Sequence, residues 1–345
     1  MAGRGSGGRG LLWFVATTRA IPAISDVKFL RLAEGADAAA LLRMLGGHAE
    51  VLKAEGQAGD GADPCGVWAS GEVVMKVRRA GSFSETIKRA VGRSRGGRQW
   101  EGAVWLAGQG MGTVVPVGLA VGRSARGVVE VLFVPRVRGD GVLEGMAGGA
   151  GAKWSNGQMV KWSNGGGPGG GGEGDSAWSF AEEALVAEAV GRQVAEMVER
   201  GRYNRDHKPS NLMVRWGVGD RAGEAEVVVL DTVAVLPVRP KHATVPHAVR
   251  MLTSLVLEPL GCGCLPRRTV RMRALRAMLE EMWKRQGVKM GDAGQAGGAA
   301  EVDEGWLRGS MRALWVQVER RVREHGDPTP RVNPLASLER GIGVR

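Results

Sequence analysis

Asp206, Lys208 and Asn211 stand close together in the run Tyr203-Asn204-Arg205-Asp206-His207-Lys208-Pro209-Ser210-Asn211. A second aspartate, Asp231, follows Asn211 by twenty residues, at the end of Val227-Val228-Val229-Leu230. An acid and an amide five residues apart in a loop, with a further carboxylate at a strand end, can hold a hydroxyl and two magnesium ions. The chemistry is phosphoryl transfer: Asp206 would accept the proton of the attacking hydroxyl, and Asn211 and Asp231 would coordinate the metal that bridges the nucleotide phosphates. A D-x-x-x-x-N pair is common by chance, and aspartate and asparagine also serve as plain turn residues. The elements around the loop must therefore decide.

Ala184, Ala187, Val190, Val194, Met197 and Val198 recur at helical spacing behind a cap at Ser179 or Ser176, so a buried helix delivers the chain to the loop. Beyond the loop, Leu212 to Arg215 and the run ending at Asp231 read as strands joined by a turn at Gly217 to Gly223. Upstream, Asp37 to Leu45 is helical and stops at Gly46-Gly47. Glu50 to Lys53, Gly66 to Ala69 and Glu72 to Arg78 read as strands of a hairpin-rich lobe, with Gly56, Gly59 and Gly61 in a connection between them. Ser84 to Ala90 is a capped polar helix, and Trp100 to Ala107 a helix that packs Val104, Trp105 and Leu106 on the sheet. Thr113 to Val117 and Val128 to Val134 are read as further strands. The last third holds two amphipathic helices, marked by Leu275, Met278, Leu279 and Met282 and by Leu307, Met311, Leu314, Val318 and Val322.

Composition narrows the classes. The hydrophobic fraction of 43% can build a real core, and no run of eighteen apolar residues exists to span a membrane. Leu11 to Val15 is too short and too soon interrupted for a secretory signal, which is not expected. Cys65 and the Cys262-x-Cys264 pair make neither a disulfide framework nor a four-ligand zinc site, and are expected as reduced thiols. A net charge of +11 calls for an anionic partner: nucleic acid, an anionic membrane surface or a phosphorylated substrate. One tyrosine and five phenylalanines make a poor stacking platform, so nucleic acid ranks low.

Arg205-Asp206-x-Lys208-Pro209-x-Asn211 resembles the catalytic loop of protein-kinase-like enzymes. The surrounding chain is most similar to the lipopolysaccharide core kinases, which phosphorylate heptose or Kdo sugars. The resemblance covers most of the chain and implies an α+β, two-lobed protein-kinase-like fold with a small β-rich N-lobe and a larger helical C-lobe. Lys76, alone in the apolar run Val73-Val74-Met75-Lys76-Val77, would then be the phosphate-binding lysine, with Glu101 as the helical carboxylate that holds it. An arginine-rich lead-in (Lys88, Arg89, Arg93, Arg95, Arg98), the glutamate, a glycine turn and a proline-containing strand follow the sugar-kinase order. Phe133 to Arg136 would form the hinge whose backbone meets adenine, and Lys208 would sit beside the transferring phosphoryl group. ATP and Mg2+ are the implied cofactors.

Two departures stand out: Asn204 replaces the histidine usual before the arginine, which removes a packing and hydrogen-bonding group, and Asp231-Thr232-Val233 replaces D-F-G. The short stretch from Thr232 to Arg250 lacks A-P-E and favours a non-protein acceptor, with Arg239, Lys241, His242, His247 and Arg250 placed to contact an anionic sugar. The expected organisation is a flexible N-terminus at 1–24, an N-lobe at 25–138, a C-lobe at 139–335 and a tail at 336–345. A flexible Gly-rich insertion at 145–175 carries the pentapeptide Lys-Trp-Ser-Asn-Gly twice. The expected partners are ATP and an anionic sugar or glycolipid. The expected location is the cytoplasm, with Arg267, Arg268, Arg271, Arg273 and Arg276 resting on the inner face of an anionic membrane. Open alternatives are a kinase of another small molecule or of protein serine and threonine, a non-catalytic pseudokinase scaffold, and a basic nucleic-acid binder.

Overall fold

The computed structural model describes residues 18–54, 64–147, 154–155, 158–159, 178–217, 223–238, 244–291 and 302–329. Gly56, Gly59, Gly61, the turn after Gly217, Arg239, Lys241, His242 and nearly all of the 145–175 insertion lie outside the described residues. Of that insertion, residues 145–147 belong to a helix, and two short strand pieces, β9 (Trp154–Ser155) and β10 (Gln158–Met159), pair with each other.

The N-terminal half forms one antiparallel sheet in the order β1-β3-β4-β5-β7-β6-β2. Its strands are β1 (Thr18–Ala20), β2 (Ser25–Leu32), β3 (His48–Ala54), β4 (Gly66–Ser70), β5 (Val73–Arg79), β6 (Gly118–Ser124) and β7 (Gly127–Pro135). Alternation sends Met75 and Val77 of β5 and Val129, Val131 and Phe133 of β7 to one face. There they pack with Leu41 and Leu45 of α1 (Ala38–Leu45), a helix capped by Asp37. The other face of β5 carries Lys76. The sheet takes in Thr18–Ala20, upstream of the expected boundary at residue 25. Thr113 to Val117 is not the strand expected. It makes only an isolated bridge from Thr113 to Val229, and the strand itself starts at Gly118.

Two helices lie between β5 and β6: α2 (Phe83–Ala90) and α3 (Arg95–Gly108). Capped by Ser94, α3 begins five residues earlier than expected. Its N-terminus takes the buried carboxylate of Glu130 from β7, which accepts the Gly96 amide at 2.6 Å.

The C-terminal half is helical. After β8 (Asp140–Gly141) and α4 (Val142–Ala147), the long helix α5 (Phe180–Glu199) starts in a capping box between Ser179 and Glu182 and runs through the core. It packs with α6 (Thr244–Gly261), α7 (Arg268–Gly291) and α8 (Glu304–His325) around Val194, Met197, Met251, Met278, Leu307 and Leu314. Between α5 and α6 come β11 (Arg202–Asn204), a 3-10 turn (Pro209–Asn211), β12 (Leu212–Trp216), β13 (Ala225–Val229) and β14 (Val235–Pro237). β12 pairs with β13 and β8, and β11 with β14. A sheet-built N-terminal region joined to a helical C-terminal one makes the chain α+β, with the order of regions expected from the sequence. Among the described residues, no helix is long and apolar enough to cross a membrane.

Candidate active site

The helix α5 is followed by β11, and pairing of β11 with β14 makes the loop at Asp206 and the segment after Asp231 neighbours: Asn204 lies opposite Val235. The 3-10 turn then brings Asn211 back onto Asp206. Asn211 Nδ2 donates to the Asp206 carbonyl at 3.0 Å and to its Oδ2 at 3.2 Å, which leaves Asn211 Oδ1 for another ligand. Lys208 Nζ stands 3.9 Å from Asp206 Oδ1. Asp206 itself is half exposed.

The peptide of Leu230 is the hub of the site. Its N–H donates to the Asn211 carbonyl at 2.9 Å, and its carbonyl accepts Lys76 Nζ at 2.9 Å and Gln99 Nε2 at 3.2 Å. One peptide thus joins the sheet, α3, the loop and the residue before Asp231. Asp231 is largely buried, with Oδ1 accepting the Val233 amide at 3.1 Å and Oδ2 lying 4.0 Å from Arg95 Nη2. Burial works against its charge, but Lys76, Arg78, the Val233 amide and Arg95 more than offset this, so its carboxyl is held below the usual carboxylate range. It is ionised at neutral pH.

Among the described residues, no three His, Cys, Asp or Glu side chains converge on a point that a metal could occupy. Magnesium does not need that. It takes hard oxygens from one or two protein groups and completes its shell with phosphate and water. The ionised Asp231 and the open Asn211 Oδ1 fit that pattern.

Several expectations need correction. Glu101 does not meet Lys76: its carboxylate pairs with Arg31 of β2 at 3.0 Å, near the surface. The α3 residue that reaches the Lys76 site is Gln99, buried, with its Oε1 unpartnered. Two residues along a helix turn the side chain by about 200°, so the shift from 101 to 99 moves the function to the opposite face. Phe133 and Arg136 do not offer hinge groups either. Phe133 is mid-strand between β5 and β6, its carbonyl accepts the Val117 amide and its ring packs on Phe29 in the core. The Arg136 amide donates to Glu72 and its guanidinium pairs with Glu50 at 3.0 Å. The strand continues to Pro135, so the Phe133 carbonyl and the Arg136 amide are already used in pairing with neighbouring segments.

Asn204 is a correction of the opposite sign. It is fully buried; its Oδ1 accepts the Asp206 amide at 3.1 Å and its Nδ2 donates to the Asp231 carbonyl at 3.4 Å. The substituted residue is the direct tie between the two acidic segments. Thr232 likewise works as an anchor, donating from Oγ1 to the Gln99 carbonyl at 2.5 Å.

A cleft of about 500 Å³ opens on both aspartates, lined by Arg95, Arg98, Arg205, Asp206, Asp231 and Arg250. Arg98, Arg205 and Arg250 pair with no carboxylate among the described residues. Of the residues expected to meet an anionic sugar, Arg250 is in the cleft, whereas His247 stacks on Tyr203 with ring centroids 4.2 Å apart. Of the arginine-rich lead-in, Arg95 and Arg98 line the cleft, while Arg89 is turned to the Ala80 carbonyl. The α7 arginines are largely occupied within the protein: Arg268 and Arg271 lie over Trp315, Arg273 pairs with Glu188, and Arg276 with Glu280 and Glu304.

Glu258 of α6 was not anticipated. Almost buried, it accepts the Ser210 amide at 2.8 Å and hydroxyl at 2.6 Å, and its Oε1 lies 3.7 Å from Lys208 Nζ. It holds both the backbone and the cation of the loop from a helix 48 residues away, a separation that no local motif reveals. For Gln99 a signal did exist: Ser94, a good N-cap, starts α3 early enough to bring residue 99 to the inner face.

No family model matches the chain, and no curated protein sequence matches it. Among solved structures it is similar to one described as WaaP in complex with acyl carrier protein, at 15% identity over 86% of this chain and 88% of that one, with a TM-score of 0.42. It is also similar to a Rio2 kinase–ADP/Mg2+–phosphoaspartate complex from Chaetomium thermophilum, at 11% identity over 74% of this chain and 68% of that one, with a TM-score of 0.34. At this level of likeness, the roles of individual residues rest on the site's own geometry.

Proposed function

We propose that the protein is an ATP-dependent kinase that transfers the γ-phosphate to a hydroxyl of a lipopolysaccharide core sugar, heptose or Kdo. The observation that carries this reading is the arginine-lined cleft opening on both Asp206 and Asp231. Lys76 does not line that cleft, so the lysine marks a nucleotide side and the arginines an acceptor side. The β5 strand fixes Lys76 beside Asp231, where its ammonium serves the α- and β-phosphates. Asn211 and Asp231 would hold Mg2+, which when bound supplies positive charge to the phosphate oxygens. Asp206 takes the proton of the acceptor hydroxyl; Asn211 Nδ2 fixes one of its oxygens and leaves the other toward Lys208. Lys208, held by Glu258, faces the charge that develops on the transferring group. Arg98, Arg205 and Arg250 bind the carboxylate or phosphate groups of an anionic core sugar.

That a glutamine of α3, Gln99, and not a glutamate shares the Leu230 carbonyl with Lys76 favours a second reading, a scaffold that binds nucleotide without turnover. Incubation with ATP, Mg2+ and a panel of core oligosaccharides, followed by mass spectrometry of the sugars, separates the two. A sugar that gains one phosphate supports the kinase, and ATP binding with every sugar unchanged supports the scaffold.

A further inference from the structure

The helix α2 (Phe83–Ala90) is inverted relative to a helix packed on a sheet. Phe83, Ile87 and Val91, its C-cap residue, are spaced by four and so share one face. That face is turned to solvent: the three residues are 82%, 50% and 64% exposed. The opposite side faces the protein: Glu85 and Arg89 are half-buried there, and Arg89 donates to the Ala80 carbonyl. No residue of the helix is buried. An exposed apolar side chain on its own is ordinary. A full stripe on one helix, turned away from the protein rather than toward it, calls for an apolar environment outside the chain.

The charge around the stripe identifies that environment. Residues 78–98 hold seven arginines and lysines, Arg78, Arg79, Lys88, Arg89, Arg93, Arg95 and Arg98, against the single acid Glu85. An apolar helical stripe flanked by cations is the composition of helices that lie in a membrane interface. The geometry points to α2 as a docking helix for an anionic lipid surface. Phe83, Ile87 and Val91 enter the boundary between headgroups and acyl chains, and the exposed Arg93, with Lys88 exposed beside its Glu85 partner, meets the lipid phosphates. The α7 arginines are less suited to this task, since Arg268 and Arg271 lie over Trp315 and Arg273 and Arg276 pair with Glu188, Glu280 and Glu304, with no apolar stripe exposed beside them among the described residues. Arg95, the first residue of α3 and part of the cleft wall, follows α2 closely, so docking through α2 sets the cleft beside the lipid surface. Lipid docking does not depend on the kinase reading, because it is measured without nucleotide or turnover.

The test is co-sedimentation of the full chain with vesicles of equimolar phosphatidylcholine and phosphatidylglycerol, beside vesicles of phosphatidylcholine alone. The chain should sediment with the anionic vesicles only. The double variant Phe83→Ser/Ile87→Ser should lose at least about ten-fold in partitioning, with an unchanged melting temperature because both side chains are already in solvent. The pair Lys88→Gln/Arg93→Gln leaves the stripe intact and should lose about five-fold for each charge removed. A chain that stays in the supernatant overturns the inference, as does equal binding to both vesicles. So does wild-type-like sedimentation of Phe83→Ser/Ile87→Ser, or self-association in light scattering that this variant abolishes, which would make a second copy the occupant.

Discussion

Replacing Gly102 by alanine tests whether α3 holds the Asp231 segment in place. A Cβ at Gly102 would lie 2.3 Å from the Thr232 carbonyl oxygen and 3.0 Å from its Cβ. An ordinary carbon–oxygen contact is near 3.3 Å, so α3 and Thr232 must separate by roughly 1 Å. Overpacking of this kind costs about 1–3 kcal/mol. The hydrogen bond from Thr232 Oγ1 to the Gln99 carbonyl, worth about 1 kcal/mol, is lost with the shift. Alanine returns about 1 kcal/mol of helix propensity. The net expectation is a loss of about 2 kcal/mol, or about 3–5 °C in Tm. A displacement of about 1 Å at the metal-side aspartate should lower turnover by about a hundred-fold. Gly108 is the control, since nothing lies within 4 Å of a Cβ there; Gly108→Ala should be neutral or stabilising by up to ~1 kcal/mol with full activity. Calorimetry and ATP turnover on both variants are the assay. A Gly102→Ala protein that melts and turns over like the wild type would refute the claim that this helix contact positions Asp231.

His207 is fully buried with both ring nitrogens unpartnered, and burial lowers its pKa to about 3. A depressed histidine stabilises the fold above the unfolded value near 6.5 and loses that contribution as pH falls toward 3, so going from pH 7 to pH 5 should cost about 2 kcal/mol through this group. Chemical denaturation of wild type against His207→Leu at the two pH values should show the slope vanish in the variant; an unchanged difference would contradict it. Glu258→Gln keeps an acceptor for Ser210 but removes the charge facing Lys208, and kcat should fall about ten- to hundred-fold with the KM for ATP unchanged. In a Lys208→Ala background the same change should have no further effect on kcat, and additive losses would show that Glu258 does not act through Lys208. Arg205→Ala and Arg250→Ala should each raise the acceptor KM by about ten-fold or more while leaving ATP binding intact, checked by steady-state kinetics in both substrates.

What the sequence revealed was whatever is encoded locally. Asp206, Lys208 and Asn211 lie in one loop, Asp231 ends an apolar run, and Lys76 interrupts a strand with period two, so each could be read from its neighbours; in the fold Lys76 and Asn211 bond to Leu230, next to Asp231, and Asp206 bonds to Asn211. Fold class followed from the family resemblance that this loop and its flanking elements carry. The misses came where tertiary contacts chose between similar residues. Gln99 and Glu101 share a helix whose start was expected at Trp100 and lies at Arg95, and the close approach of Leu119 and Glu130 to Gly96 is a tertiary contact that explains the glycine in its first turn. Phe133 lies within β7 and Arg136 just past its end, and their backbone partners depend on how β7 pairs with β5 and β6. Glu258 reaches the loop from a distant helix, and the outward face of α2 cannot be told from an inward one by spacing alone.

The central claim is that Asp206, with Asp231 and Lys76, transfers phosphate to a sugar hydroxyl. Its most direct test is phosphate incorporation into core oligosaccharides from labelled ATP, beside calorimetric MgATP binding, in wild type, Asp206→Ala, Asp231→Ala and Lys76→Ala. One phosphate should appear on the acceptor with wild type; Asp206→Ala should retain MgATP binding but lose about 10²–10⁴-fold in transfer, and Asp231→Ala and Lys76→Ala should lose MgATP binding itself. Transfer that survives in Asp206→Ala, or tight MgATP binding by wild type with no phosphate on any sugar, would contradict it.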